Sequence, residues 1–351
     1  MADEKKEIQA RLVEGKSELK KEEITEILKT IAPGTLLRTG IEGIQKAKTG
    51  GLIVAYNDFV ENIFEGGFKI NARFTPQRLI ELSKMDGAIV LSKDLKKILY
   101  SNVLLTPNNS IPSNETGTRH KAAERTAKQA NTIVIAISQR RDEIALFYKG
   151  IKYILKDTNE IIRRATSILQ ILEKHREVFE ENKSELDEEE LRNKPKINKA
   201  LLVIQRGMII LKLSEIMKGY AIELGAEGTI VKARLKELLQ RVEKDVDEVI
   251  KDYSKIGFTK SKRILSVLSY DELLELENIK QCLGLSEESD IFPKGHRVLE
   301  KTGIHEKDIG VLIKNFKNLN SILSLKKEDL IPFFGEERAN EIFEKVNHKK
   351  G

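Results

Sequence analysis

The run Glu115-Thr116-Gly117-Thr118-Arg119-His120-Lys121-Ala122-Ala123-Glu124-Arg125 sets a glycine turn and a hydroxyl directly ahead of two cations and a histidine. The residues after Gly117 read as a helix, and amides at a helix start have no partner inside the helix and point outward. Such a start attracts anions, phosphate above all. Upstream lies Met85-Asp86-Gly87-Ala88-Ile89-Val90-Leu91, an acid and a glycine leading into an apolar strand. Taken singly, an Asp before a strand is a turn residue and a His at a helix start is a polar contact. Together, a carboxylate for a metal and cations for phosphates are the two halves of a nucleotide-processing site.

Elements of two periodicities must position these residues. A charged amphipathic helix is expected from Ala2 to Ile31, stopping at Ala32-Pro33-Gly34, and a second from Leu36 to about Ala47, ending at Thr49-Gly50-Gly51. Leu52-Ile53-Val54-Ala55-Tyr56 reads as a buried strand, and Gly66-Gly67 as a turn into an edge segment. Thr75 caps a helix that has Pro76 at its first position. Further strands are expected at Ala88–Leu91, Lys97–Ser101, Thr132–Ile137 and Glu143–Tyr148. The third of these is apolar throughout and suits a strand covered on both faces. The interleaving predicts an α+β fold, a mixed sheet flanked by helices. The interval from Thr106 to Gly117 is rich in Pro, Asn and Ser, and so long a loop in a compact domain reads as functional.

Beyond it the period becomes helical. Ile161–Leu172, Leu201–Met217 and Ile230–Tyr253 repeat apolar residues at helix spacing, which predicts a bundle or spine. Glu180–Lys196 is a solvated helix face or a loop, and Asp187-Glu188-Glu189-Glu190 reads as solvated surface rather than a metal site. After residue 292, short helical stretches such as Val311–Phe316 and Glu337–Val346 are separated by Gly303, Gly310 and Gly335. Such units can grip DNA phosphates through turn amides, or form a plain helical cap.

Composition narrows the classes. The chain has 351 residues, 40% hydrophobic and 33% charged, enough for two or three domains with real cores. No apolar run approaches the roughly 18 residues of a membrane span. The start of the sequence lacks the apolar segment of a signal peptide. Cys282 is the only cysteine, which excludes an intrachain disulfide and a thiolate metal cage. A cytoplasmic location is expected. The net charge of +6 is spread unevenly: residues 1–150 carry 24 Lys/Arg against 19 Asp/Glu, 151–291 carry 25 against 27, and 292–351 carry 12 against 9. The two basic ends suit anionic partners.

Asp86-Gly87-Ala88 and Gly117-Thr118-Arg119-His120-Lys121 resemble the Asp-Gly-Ala and Arg-His-Arg motifs of diadenylate cyclases. Pro33-Gly34-Thr35, Thr49-Gly50-Gly51-Leu52-Ile53-Val54, Phe74-Thr75-Pro76-Gln77-Arg78-Leu79 and Ser110-Ile111-Pro112-Ser113 are similar to the DNA-integrity-scanning branch of that family. The resemblance implies three parts: a cyclase domain over 1–150, a helical spine over 151–291 and a helix-hairpin-helix DNA-binding domain over 292–351. It implies condensation of two ATP into cyclic di-AMP with Mg²⁺ or Mn²⁺, coupled to sensing of branched DNA in a homo-octamer. By the same matching, Asp86 serves the metal and the attacking hydroxyl, and Gly87 lets the nucleotide approach the backbone. Thr118, Arg119, His120, Lys121 and Ala122 would bind phosphates, Leu105 would line the base or ribose pocket, and Ser138 with Arg141 would face the triphosphate.

The sequence departs from the family in places. Lys121 replaces an arginine, and Leu105-Thr106-Pro107-Asn108-Asn109 replaces a pattern close to Leu-x-Pro-Asp-Pro, a change expected to loosen the loop. Gln139 replaces a basic residue, and Pro332-Phe333-Phe334-Gly335-Glu336-Glu337 keeps one glycine of the second hairpin. The alternatives are an oligomeric DNA-binding protein whose site only senses ATP, and a nucleotidyltransferase with a separate acceptor.

Overall fold

The computed structural model describes residues 23, 25–192, 195–285 and 292–347. Most of the helix expected over 2–31 lies outside them; residues 25–30 are helical and the chain turns at Ile31-Ala32-Pro33-Gly34. Two compact units result, one running to Arg164 with Gly219–Ile230, the other made of Ala165–Lys218 and the residues from Val231 on.

The first unit is built on a mixed sheet. Its strands are β1 (Gly51–Ala55), β2 (Phe64–Glu65), β3 (Phe68–Arg73), β4 (Ala88–Leu91), β5 (Lys97–Leu105), β6 (Ile133–Ile137), β7 (Ile144–Tyr148) and β8 (Ile151–Leu155). They pair in the order β2-β5-β4-β1-β6-β7-β8, and β3 also pairs β5. The β1–β4 pair is parallel; its neighbours in the sheet are antiparallel. Every residue of β1 and β4 is buried, as apolar runs covered on both faces require.

Helices cover the two faces. On one lie α1 (Leu36–Lys46) and α2 (Pro76–Leu82), with Leu37, Ile41, Ile44 and Leu79 packed on Ile53, Ile89, Ile135 and Ile137. Both start as expected: Thr35 and Thr75 accept hydrogen bonds from the amides of Arg38 and Arg78, and Pro76 opens α2. On the other face lies α3 (Thr118–Ala130), whose Ala123, Ala127 and Ala130 pack it closely on Val54, Val90 and Val134. β5 continues past the expected Ser101, and β8 lies where no strand was expected.

The second unit is helical. It holds most of α4 (Thr158–Leu191) and α5 (Ile197–Glu223), followed by α6 (Thr229–Leu238), α7 (Val242–Tyr253), α8 (Phe258–Val267), α9 (Tyr270–Leu274) and α10 (Leu276–Cys282). Residues 180–191 are therefore helix, not loop. The stretch expected to be continuous over 230–253 breaks at Arg241, which has φ +62°. Then come α11 (His296–Lys301), α12 (Glu306–Phe316), α13 (Leu319–Leu323), α14 (Lys327–Phe334) and α15 (Glu336–Asn347), packed around Leu299, Leu312, Ile322, Leu330 and Ile342. Gly310 lies inside α12 rather than in a turn, whereas Gly303 and Gly335 take positive φ between helices.

The acidic run is the larger correction. Glu190 is 2% exposed, and its carboxylate lies 2.6 Å from the guanidinium of Arg297, which is 0% exposed. Asp187 pairs with Arg297 and Lys301. Glu190 is thus buried and Asp187 is paired, with cations of a distant helix as their partners. Among the described residues no helix is long and apolar enough to cross a membrane.

Candidate active site

Strand register brings the motif residues to one end of the sheet. In the parallel pair Ile53 faces Ile89, and at the same end Gly51 pairs Ile137 while Ala88 pairs Val103. Gly50, Gly87, the end of β5 and Ser138 therefore collect there. Helix α3 begins at this end, since Arg119 touches Gly50, and finishes beyond the far end of β1, where the Ala130 carbonyl accepts a 2.7 Å hydrogen bond from the Asn57 amide.

Asp86-Gly87 forms the turn between α2 and β4. Gly87 has φ +87°, and a Cβ there would come within 2.8 Å of the Val103 carbonyl oxygen and 2.9 Å of the Asn102 carbonyl carbon. Glycine is needed twice over, for its backbone angle and for close approach to β5. Asn102 itself has φ +57° and sits in the register shift between Ala88 and Val90. The turn thereby presents Asp86 to solvent, and its carboxylate has no hydrogen bond or ion pair to any described residue.

Helix α3 starts without a side-chain cap: Gly117 precedes it, and the first intrahelical bond runs from the Lys121 amide to the Gly117 carbonyl at 2.9 Å. The amides of Thr118, Arg119 and His120 are the outward-pointing ones. Thr118 is exposed, and Ala122 packs against the core behind the helix start. Arg119 and Lys121 have no ion pair or side-chain hydrogen bond among the described residues, so two cations stand unpaired beside those amides. His120 meets the ring of Phe147 edge-on at 6.4 Å. Burial pushes its imidazole below the ordinary value; Glu115 and Glu143 oppose this, and Lys152 and Arg141 reinforce it. This favours the neutral imidazole, which can donate one hydrogen bond and accept another.

The remaining predicted residues divide. Ser138 opens the β6–β7 turn: its hydroxyl accepts a 3.1 Å bond from the Arg141 amide, and the Arg141 guanidinium reaches Thr116 at 3.5 Å. Leu105 is only 8% exposed and its side chain belongs to the core. The loop over 106–117 is strapped onto α3. Glu124 accepts from the Ser113 hydroxyl at 2.6 Å, Arg125 donates to the Ile111 carbonyl at 2.9 Å and to Asn109 at 2.8 Å, and Lys128 donates to the Pro112 carbonyl at 2.8 Å. At the two departing positions, Asn109 accepts from Arg125 and the Asn108 side chain accepts from the Ser110 amide at 2.9 Å.

Sequence reasoning missed the supports. Gly50 reads in the sequence as a helix stop and as part of the family-like stretch Thr49–Val54, with no role in the site, yet its bare backbone touches Arg119. Lys152 of β8 pairs with Glu115 at 2.7 Å and Glu143 at 3.7 Å, tying the strap to the sheet. The signal for Gly50 was the doubled glycine before an apolar strand; Lys152 lay in an unrecognised strand and left none.

No group of three or more His, Cys, Asp or Glu able to hold a metal occurs among the described residues. A single free carboxylate suits Mg²⁺ or Mn²⁺, hard ions that complete their shell with phosphate oxygens and water, and does not suit a structural zinc.

Residues 38–152 match the family described as DisA bacterial checkpoint controller nucleotide-binding, and residues 155–292 match the DisA bacterial checkpoint controller linker region. The DNA integrity scanning protein DisA of Clostridium acetobutylicum is 41% identical over 335 residues, spanning 92% of this chain and 94% of that one. The solved structure of DacA from Staphylococcus aureus is similar over 37% of this chain and 91% of its own, at 22% identity and a TM-score of 0.30. The protein of the same name from Acetivibrio thermocellus, DNA integrity scanning protein DisA, is 42% identical over 337 residues, 93% of this chain and 94% of its own. At that identity over nearly its whole length, the chain belongs to the family of DNA integrity scanning proteins, DisA.

Proposed function

We propose that the chain is a diadenylate cyclase. Two ATP molecules are joined when each 3′-hydroxyl attacks the other's α-phosphorus; two P–O bonds form, two break, and two pyrophosphates leave with cyclic di-AMP as product. One observation carries the reading: an unpaired carboxylate and two unpaired cations stand at one sheet end, in a region matching the DisA nucleotide-binding domain.

The residues divide the work. Amides at the start of α3, with Thr118, Arg119, Lys121 and Ala122, hold the phosphates, and Ser138 with Arg141 faces the triphosphate tail. His120 hydrogen-bonds the phosphates from the same helix start. Gly87 admits the nucleotide to the backbone, and Leu105 backs the base or ribose pocket from the core. Asp86 would hold Mg²⁺ or Mn²⁺, which when bound lowers the barrier to ionising the 3′-hydroxyl and offsets phosphate charge. The described residues hold one such set, so in this reading two chains face each other, and proximity then supplies much of the rate. The octamer implied by the family resemblance is the proposed assembly.

In the proposed three-part division, cyclase over 1–150, spine over 151–291 and helix-hairpin-helix over 292–351, β8 carries the sheet on to Leu155. Branched DNA is the proposed partner of the last part, whose candidate hairpins turn at Gly303 and Gly335. Both following helices begin with acids, Glu306 and Asp308 in one, Glu336 and Glu337 in the other. Phosphate contact is therefore assigned to flanking lysines such as Lys314, Lys317 and Lys327 rather than to the turn amides.

ATP with Mn²⁺ or Mg²⁺ should give cyclic di-AMP by mass, with and without a branched duplex. Asp86→Asn should reduce turnover at least about a hundredfold while leaving the thermal midpoint in place, since the carboxylate has no folding partner to lose. Nucleotide binding with no product, or full turnover in Asp86→Asn, would remove the assignment.

A further inference from the structure

Arg119 leans on a missing side chain. Gly50, just before β1, has φ +68°, and a Cβ built there would overlap the Nη1 of Arg119. The same Cβ would lie 3.2 Å from the Ile137 carbonyl oxygen and 3.4 Å from the Gln139 Cβ, close but not overlapping. The end of the guanidinium thus rests on bare backbone at the entry to the central parallel strands. No hydrogen bond or ion pair to a described residue holds it there, so shape alone sets its direction. A long cation confined in this way loses less freedom when it meets an anion than one that sweeps through solvent.

We infer that Gly50 is a positioning residue for the nucleotide reaction: its bare backbone seats the Arg119 guanidinium toward the triphosphate. The ligand in this inference rests on the diadenylate cyclase reading; the geometry rests on the Gly50–Arg119 contact. In Gly50→Ala the overlapped atom is the far end of a flexible side chain, so the guanidinium moves before the backbone does. The left-handed angle adds a strain unrelated to Arg119. Gly66→Ala reproduces that strain alone, since Gly66 has φ +66° and nothing within 4 Å of an added Cβ.

The test is a double-mutant cycle on the full chain, read in ATP affinity by calorimetry and in kcat and KM for cyclic di-AMP formation. Gly50→Ala should weaken ATP binding about tenfold, the scale of one misdirected charge-assisted hydrogen bond. Added to Arg119→Ala, it should change affinity less than about twofold, because the residue it positions is gone. Its thermal midpoint should fall no further than that of Gly66→Ala. Wild-type affinity in Gly50→Ala, or the same factor in both backgrounds, overturns the inference. If the wild-type chain binds ATP without cyclising it, the cyclase reading fails while the binding cycle still decides the seat. If it binds no ATP, both are overturned.

Discussion

Lys121 is a test of what charge alone can do at this helix start. Its ammonium has no partner among the described residues, so an arginine there displaces no existing bond. A guanidinium adds a planar fork that an ammonium lacks. Lys121→Arg should therefore tighten ATP about three- to tenfold, measured by calorimetry, with little change in thermal midpoint. An unchanged or weaker affinity would mean that the position supplies charge without bidentate contact. The motif residues were legible because their chemistry sits in contiguous types: an acid and a glycine before a strand, cations after a glycine. Gly50 and Lys152 were not. Their roles consist of contacts with Arg119 and with Glu115 and Glu143, and such contacts exist only once the sheet has formed.

Among the elements, the segment over 106–117 has no secondary structure of its own through residue 117 and depends on α3 for its shape. Arg125 makes two of the bonds that hold it, to the Ile111 carbonyl and to Asn109. Arg125→Ala leaves the alanine-lined core face of α3 intact and frees the strap. The local opening energy should fall by about 1–2 kcal/mol, so limited proteolysis within 108–114 should speed up roughly tenfold while the main thermal transition stays near its place. Cleavage no faster than in the unaltered chain would mean that Glu124 and Lys128 suffice. Strands with continuous apolar runs were readable, as was the helix whose cap is Thr75. β8 escaped because its alternating Ile-Lys-Tyr-Ile-Leu face is half exposed and its pairing comes from a two-residue turn. Lys149-Gly150, with Lys149 at φ +52° and Tyr148 paired to Ile151, was the available hairpin signal. The bulge at Asn102, where Gly87 comes close to β5, had none.

At the scale of the whole molecule, the least legible feature was where charge goes inside. The run Asp187-Glu188-Glu189-Glu190 has the composition of a solvated face, yet only Glu188 is exposed. Glu190 instead accepts a 2.7 Å bond from the Tyr253 hydroxyl and faces Arg297, while buried Asp252 accepts from the amides of Gly295, His296 and Arg297 at 2.9, 2.7 and 3.2 Å. Neither helical period nor local charge could announce this, because the partners lie on different helices far apart in the chain. Removing the cation from such a cluster leaves buried carboxylates uncompensated, which costs about 3–5 kcal/mol when they are ionised. Whether Glu190 is ionised depends on pH. Burial, with the nearby charge of Asp252, pushes its carboxyl up from 4.5 to about 8. A carboxyl raised in this way binds its proton more tightly folded than unfolded, so its contribution is fully present below 4.5 and is lost as pH rises through about 8. Over most of that range Glu190 keeps its proton, so the cation serves chiefly Asp187 and the packing around its own buried side chain. Arg297→Ala should therefore be less stable than the unaltered chain by about 3–5 kcal/mol, through the emptied site and the unpaired Asp187. The gap should be nearly the same near pH 5 and near pH 8, because a carboxyl with a folded value of about 8 gains at most about 0.4 kcal/mol from a cation at pH 8. Urea midpoints for the two proteins at those two pH values decide the matter: a gap that widens by more than about 1 kcal/mol toward pH 8 would mean that Arg297 holds Glu190 ionised.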